Sequence, residues 1–257
     1  MKFIKTYLFI LFSFSAVYVQ AELYAVIVGI SKYKDSSNNL KFAATDAKLF
    51  YNLLTNGKQN PNIVLLLDEN ATRSNILNAI KKKYQQAKSS DHIIFYFSGH
   101  GVDGYFCQYD SNEDPGSLLK HKDIQNAFKM SNAGVKLCIA DACHAGSIKT
   151  SSSTKKSVNF LKEYNDKSVS KNENIIVFMS SRGNQISMED PFLRQGVFTH
   201  YLIKSFQGEA DENNDQKVTA KEMYTYVRDN VSAKTKKRQI PIMFGRFSED
   251  AAIVSYK

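Results

Sequence analysis

Two short clusters in this sequence hold the residue types that nucleophilic catalysis needs. One is Ser98-Gly99-His100-Gly101 and the other is Asp141-Ala142-Cys143-His144-Ala145-Gly146. A thiol attacks best as a thiolate, and a neighbouring imidazole can take its proton. His100 is therefore the candidate base and Cys143 the candidate nucleophile. The backbone amides of Gly101 and Cys143 are candidate donors to the oxyanion of a tetrahedral intermediate. The glycines beside His100 predict a tight turn and leave room for a substrate backbone. A lone His or Cys would carry little weight. The signal lies in where the two clusters fall along the chain.

Each cluster follows an apolar run that reads as a strand buried on both faces. Asp91 to Phe97 (DHIIFYF) leads into the histidine, and Val135 to Ala140 (VKLCIA) leads into the cysteine. Continuous apolar strands of this kind belong to parallel sheets covered on both sides. Leu23 to Ile30, Asn62 to Leu67 and Ile175 to Met179 read the same way, and Ala252 to Ser255 is a last short strand. Helical spacing is predicted over Phe42 to Leu54, Ala71 to Tyr84 with Thr72 as N-cap, His121 to Met130, Val197 to Phe206 and Ala220 to Val231. Val102 to Leu118 reads as a polar connection. Alternating strands and helices predict an α/β fold with a mostly parallel sheet flanked by helices. In such sheets functional residues gather at the carboxyl ends of strands. If the third and fourth strands are neighbours, His100 and Cys143 stand side by side at one sheet edge.

The 257 residues suffice for one large α/β domain, and 43% hydrophobic with 23% charged residues is ordinary globular composition. The first 21 residues read as a secretory leader: a basic start at Lys2 and Lys5, an uncharged apolar run from Tyr7 to Val19, and small residues at Val19 and Ala21. The expected mature chain starts near Glu22 and is secreted or periplasmic, with no membrane association once the leader is gone. The net charge of +9 is scattered or lies in loops, and Lys81 to Lys83 and Lys234 to Arg238 lack interleaved aromatics. A solvated surface is expected there, with no nucleic-acid partner. Of the three cysteines, Cys107 and Cys138 either pair or remain separate core thiols, and the odd one is the candidate nucleophile.

The segments YAVIVGISKYKD, LKFAATDAKLF, IIFYFSGHG, KLCIADACHAGS, VFMSSRGN and GVFTHYL, in this order, resemble the caspase-like cysteine peptidases, closest to metacaspases and their bacterial relatives. The resemblance covers nearly all of the chain after the leader. It implies a caspase-like three-layer sandwich and a His–Cys dyad carried onto His100 and Cys143. It implies a large-subunit-like region over 22–146, a linker over 147–174 and a small-subunit-like region over 175–257. It also implies an acidic pocket for the Arg or Lys before the cleaved bond, formed by Asp46, Ser98 and Asp141. Two carboxylates suit a cationic side chain and repel an acidic one. Ser180 and Ser181 are expected to border the cleft, and His144 to shape the turn after the nucleophile.

Two further segments carry expectations. Ser147 to Asn174 contains Lys149, Lys155, Lys156, Lys162, Lys167 and Lys171, and an enzyme that cuts after Lys could cleave itself there. Asp211, Asn213, Asp215, Thr219, Glu222 and the Lys217 carbonyl have the oxygen spacing of a calcium loop, although Gln216 replaces the usual glycine. Calcium is thus a candidate ligand, while the dyad chemistry itself requires no cofactor. Some metacaspases bind activating calcium at a different acidic cluster. Here Lys120 to Asp123 keeps one carboxylate and Thr150 stands where an acid could be. The expected protein is a monomeric endopeptidase acting on protein or peptide substrates. The alternative is a caspase-like interaction module that keeps the dyad without activity.

Overall fold

The computed structural model describes residues 21–112, 114–143, 174–182 and 185–255, and of Cys143 only the backbone. The expected leader up to residue 20 and the linker lysines lie outside the described residues, as do His144 and Thr150.

In chain order the elements are β1 (Leu23–Gly29), α1 (Ala43–Thr55), β2 (Ile63–Leu67), α2 (Arg73–Tyr84), β3 (His92–Val102), β4 (Tyr105–Phe106), β5 (Leu119–Lys120), α3 (His121–Met130), β6 (Val135–Cys143) and β7 (Ile175–Met179). There follow β8 (Glu189–Asp190), β9 (Gln195–Gly196), α4 (Val197–Lys204), β10 (Lys217–Thr219), α5 (Ala220–Lys234), β11 (Ile242–Arg246) and β12 (Ala252–Ser255). The central sheet runs β11-β7-β6-β3-β1-β2. Every pairing along it is parallel except β11 with β7. The expected α/β sandwich is the fold observed. The antiparallel edge strand β11 was not foreseen, because Ile242-Met243-Phe244-Gly245-Arg246 has neither clean alternation nor a long apolar run.

Strand alternation sorts the core into two layers. Val26, Val28, Phe95, Phe97, Cys138, Ala140 and Val177 pack on one face beneath α2 and α3. Ala25, Ile27, Ile94, Tyr96, Leu137, Ile139 and Phe178 face the other way, beneath α1, α4 and α5. Because the period is two, Ser98 and His100 continue the Ile94–Tyr96 face and Asp141 continues the Leu137–Ile139 face. All three polar residues are therefore directed to the layer that contains α1 and α4.

The two chemical clusters were expected in turns after their strands. Both instead extend the strands. Residues Ser98 to Val102 remain in β3, and Asp141 to Cys143 remain in β6. The backbone reverses only at Gly104, whose φ is 83°. The glycine before the histidine serves close packing rather than a turn: a Cβ on Gly99 would lie 2.7 Å from the Tyr33 hydroxyl. Cys107 and Cys138 are separate buried thiols, and burial pushes each up to about 12. Neither is reactive in that state. Among the described residues no helix is long and apolar enough to cross a membrane.

Candidate active site

β3 and β6 are direct neighbours, and their parallel register pairs Ser98 with Asp141 and His100 with Cys143. The sheet order thus supplies the side-by-side placement that the sequence left conditional.

His100 is held by the loop after β1. Its backbone N–H donates to the Tyr33 hydroxyl at 2.7 Å, and the two rings lie 5.1 Å apart. Its Nε2 lies 2.8 Å from the Asn38 carbonyl oxygen. A carbonyl can only accept, so Nε2 carries the proton and Nδ1 holds the basic lone pair. The loop itself is fixed by Asp68, whose Oδ1 accepts the amides of Ser31 and Lys32 at 2.8 and 2.9 Å. The Tyr33 amide donates to the Asn39 side chain at 2.9 Å. Burial lowers the pKa of His100 below its ordinary value, while the Asn38 carbonyl and Glu189 act in the opposite sense. The imidazole is accordingly neutral near pH 7 in this environment.

The peptide groups of a strand alternate sides. The Ser98 carbonyl accepts from Ile30 N–H and the His100 carbonyl from Cys107 N–H, both on the β1 and β4 side. The Gly101 amide consequently turns to the β6 side, beyond the Cys143 position.

Beside the histidine is a small cavity of about 40 Å³ lined by Leu40, Asp46, Ser98, His100, Asp141 and Glu189, among others. By volume it is large enough to hold about one water. Asp46 reaches it from the first turn of α1 and is 2% exposed; Ser98 and Asp141 are 3% and 6% exposed. The three residues expected to form a pocket therefore do line one cavity. The Gly196 amide donates to both oxygens of Asp46, at 3.0 and 3.1 Å. Thr199 Oγ1 donates to Asp141 Oδ2 at 2.7 Å, and the Ser187 hydroxyl donates to Asp141 Oδ1. Tyr96, fully buried, is hydrogen bonded to Thr199 at 2.6 Å.

Burial, reinforced by Asp141 across the cavity, raises Asp46 well above the usual carboxylate range. Burial also raises Asp141, against the hydroxyls of Ser187 and Thr199. Two poorly solvated carboxylates facing one space favour a cation between them. Glycine at 196 keeps the space open. A Cβ there would fall 2.7 Å from Asp141 Oδ2 and 2.8 Å from Asp46 Oδ2.

Glu189 is a third acid on the rim. Its Oε1 accepts the Phe42 amide at 2.8 Å, joining the β8–β9 hairpin to the start of α1. The hairpin is also tied to α5 through Lys234 and Asp190 at 3.0 Å. Reading the sequence missed Tyr33, Asn38, Ser187, Glu189, Gly196 and Thr199. Tyr33 falls within the quoted segment YAVIVGISKYKD, and Gly196 and Thr199 fall within GVFTHYL. The others lie in connections without periodicity.

Ser180 and Ser181, expected to border the cleft, are fully buried, and the Ser180 hydroxyl lies against Asp141, where it acts to lower the pKa of that carboxyl. The Ser180 amide continues the ladder to Ala140 O, and the Ser181 hydroxyl closes a turn onto Gln185 O. The segment 211–222 forms a tight turn in which Asp211 and Asn213 accept the Asp215 amide at 3.2 and 2.9 Å. Asp215 in turn accepts the Lys217 amide at 3.0 Å. The Glu222 carboxylate caps α5 through Oε2, which accepts the Thr219 amide and hydroxyl at 2.9 and 2.7 Å, and its Oε1 reaches back to the Glu212 amide at 3.3 Å. Among the described residues no group of three or more His, Cys, Asp or Glu side chains is gathered so as to hold a metal ion by itself; the oxygens expected of a calcium loop here also include the Asn213 side chain and the Lys217 carbonyl, and calcium at this turn stays a proposal.

A family model described as the caspase domain matches residues 22–251. Metacaspase-1 of Arabidopsis thaliana is 34% identical over 146 residues, 48% of this chain and 39% of that protein. Metacaspase-1 of Kluyveromyces lactis is 28% identical over 187 residues, 64% of this chain and 40% of that protein. The matches thus span about two-fifths of these relatives' own length. A crystal structure of a Geobacter sulfurreducens protein superimposes with a TM-score of 0.60 at 16% identity, covering 87% of this chain and 93% of that one. At that identity the likeness concerns the fold alone.

Proposed function

Because the chain belongs to the caspase-domain family of peptidases, we propose that it is a secreted cysteine endopeptidase that hydrolyses peptide bonds after Arg or Lys. Cys143 is the nucleophile and His100 its base. His100 Nδ1 takes the thiol proton, and the sulfur forms a bond to the scissile carbonyl carbon. The carbonyl oxygen becomes an oxyanion facing the amides of Gly101 and Cys143. Collapse of the intermediate breaks the C–N bond, and the imidazolium gives its proton to the leaving amine. Water, deprotonated by the same imidazole, then releases the acyl group and restores the thiol. Nucleophile, base and acid all come from the dyad, so no step is routed through a metal.

The observation that carries the specificity is the pairing of Asp46 and Asp141 across a cavity that also contains His100. A guanidinium or ammonium group there would relieve the repulsion between the two carboxylates and form charge-assisted hydrogen bonds with them. An acidic side chain would add a third negative charge at a site that already disfavours two. Secretion rests on the leader-like segment that precedes Glu22.

The test is hydrolysis of fluorogenic peptides ending in Arg, Lys or Asp by the chain from residue 22 onward, with Cys143→Ala as control. Cleavage after Arg or Lys that vanishes in the control is the expected result. Cleavage after Asp alone would leave the dyad standing and remove the pocket assignment. No cleavage of any peptide, even after the region 147–174 is cut by an added protease, would favour an interaction module.

A further inference from the structure

At the end of the sheet opposite the cavity, Asp91 is 2% exposed and accepts three hydrogen bonds. Its Oδ1 takes the backbone N–H of Glu22 at 3.1 Å and the Ser90 hydroxyl at 3.0 Å, and its Oδ2 takes the Lys88 amide at 2.7 Å. Its own carbonyl accepts the Gly134 amide at 2.9 Å, and the Glu22 carbonyl accepts the His92 amide at 2.9 Å. The buried carboxylate therefore ties the start of β1 to the turn before β3, while the backbone carbonyl of the same residue holds the start of β6. The nitrogen it holds at the β1 end belongs to residue 22. That is the residue at which cleavage after Val19-Gln20-Ala21 would begin the mature chain.

We infer that Asp91 is a built acceptor for the α-ammonium group that leader removal creates at Glu22. A signal peptidase of the exporting membrane adds water across the Ala21–Glu22 bond, leaving a carboxylate on Ala21 and an ammonium on Glu22. The neutral N–H···O contact then becomes an ion pair at a buried carboxylate, and processing fastens the starting edge of the sheet. The inference rests on the leader reading and is independent of the peptidase chemistry at the other end of the strands.

The surroundings give this ion pair a clean pH signature. Lys88 faces Asp91 from the turn before β3, His92 from β3 itself and Tyr24 from β1. The Glu22 side chain is turned away onto Asn62 at 3.1 Å. Burial lowers His92 and raises Tyr24, so both titrate outside the range of an α-amine. A paired α-ammonium has its pKa raised above the ordinary value of about 7.7–8.0. Its stabilisation is full below that ordinary value and is lost as pH rises through the raised one.

The experiment begins with N-terminal sequencing of the exported protein. It then compares three purified forms by thermal unfolding across pH: the chain beginning at Glu22, the same chain N-acetylated, and a chain retaining Ala21. The expected results are a start at Glu22 and an α-amine pKa raised by about one unit, a tenfold change in the folding equilibrium. The Glu22 form should melt above the other two between about pH 6 and 8, with the gap closing above about pH 9. Asp91→Asn should remove the gap; if that variant does not fold, the acetylated form carries the comparison. A start at any other residue overturns the inference through the leader. A start at Glu22 with an ordinary amine pKa, or with no gap between the forms, overturns the acceptor role of Asp91.

Discussion

The hydroxyl of Tyr33 accepts the backbone N–H of His100 at 2.7 Å, with the two rings 5.1 Å apart. The histidine is thereby fixed at its backbone by one residue of the β1 loop and at its ring by another, Asn38. Tyr33→Phe keeps the ring packing and leaves a buried N–H without its acceptor, at a cost of about 1–3 kcal/mol. The expected outcome is a lower melting point with kcat reduced more than KM is raised. An unchanged kcat would show that the hydroxyl does not position the base.

The dyad predicts a pH dependence with a definite sign. Burial holds His100 below its ordinary value, so the neutral base persists at a pH where an exposed histidine is already charged. The acid limb of kcat for a neutral acyl substrate should therefore fall below about 6.5. Stopped-assay pH profiles check this, and a limb above that value would contradict it. Cys143→Ala should remove turnover entirely.

Asp46 and Asp141 set function against stability. Each has a raised pKa, so each favours folding below its unfolded value and loses that contribution as pH rises through the folded value. At neutral pH Asp46→Asn should raise the melting temperature by about 2–4 °C. The same change should raise KM for Arg and Lys peptides by about 10²-fold, the order expected for loss of a charge-assisted contact. Calorimetric scans and steady-state kinetics on one preparation test both halves.

Gly196→Ala should close the cavity without touching the dyad, because the new methyl group would sit 2.7–2.8 Å from both carboxylates. Cleavage after Arg should collapse, while alkylation of the wild-type and variant thiols by iodoacetamide should proceed at equal rates. Slowed alkylation would mean that the substitution disturbs more than the cavity.

Removal of divalent ions with EDTA is expected to leave kcat/KM unchanged, since the proposed steps use only dyad groups. Glu222 is engaged in the cap of α5. A loss of activity that calcium restores, and that Asp215→Ala abolishes, would instead assign control to the 211–222 turn.

The amino-acid sequence by itself determined the strand and helix alternation and the two-faced burial of the sheet, and it singled out His100 and Cys143 as the candidate pair. These rest on local periodicity and on residue chemistry, which are readable along a chain. The pocket acids Asp46 and Asp141 became legible only through resemblance, since an Asp in a helix and an Asp at a strand end look the same buried or exposed. Tertiary structure decided the rest. The order β6-β3-β1 put His100 opposite Cys143 and Ser98 opposite Asp141, a choice of neighbours that no local pattern encodes. It also recruited Tyr33, Asn38, Glu189, Gly196 and Thr199 from segments far apart in the chain. Their roles come from hydrogen bonds formed only when α1, the β8–β9 hairpin and the β1 loop meet over the ends of β3 and β6. Such contacts depend on three-dimensional proximity, and a one-dimensional pattern carries no record of it.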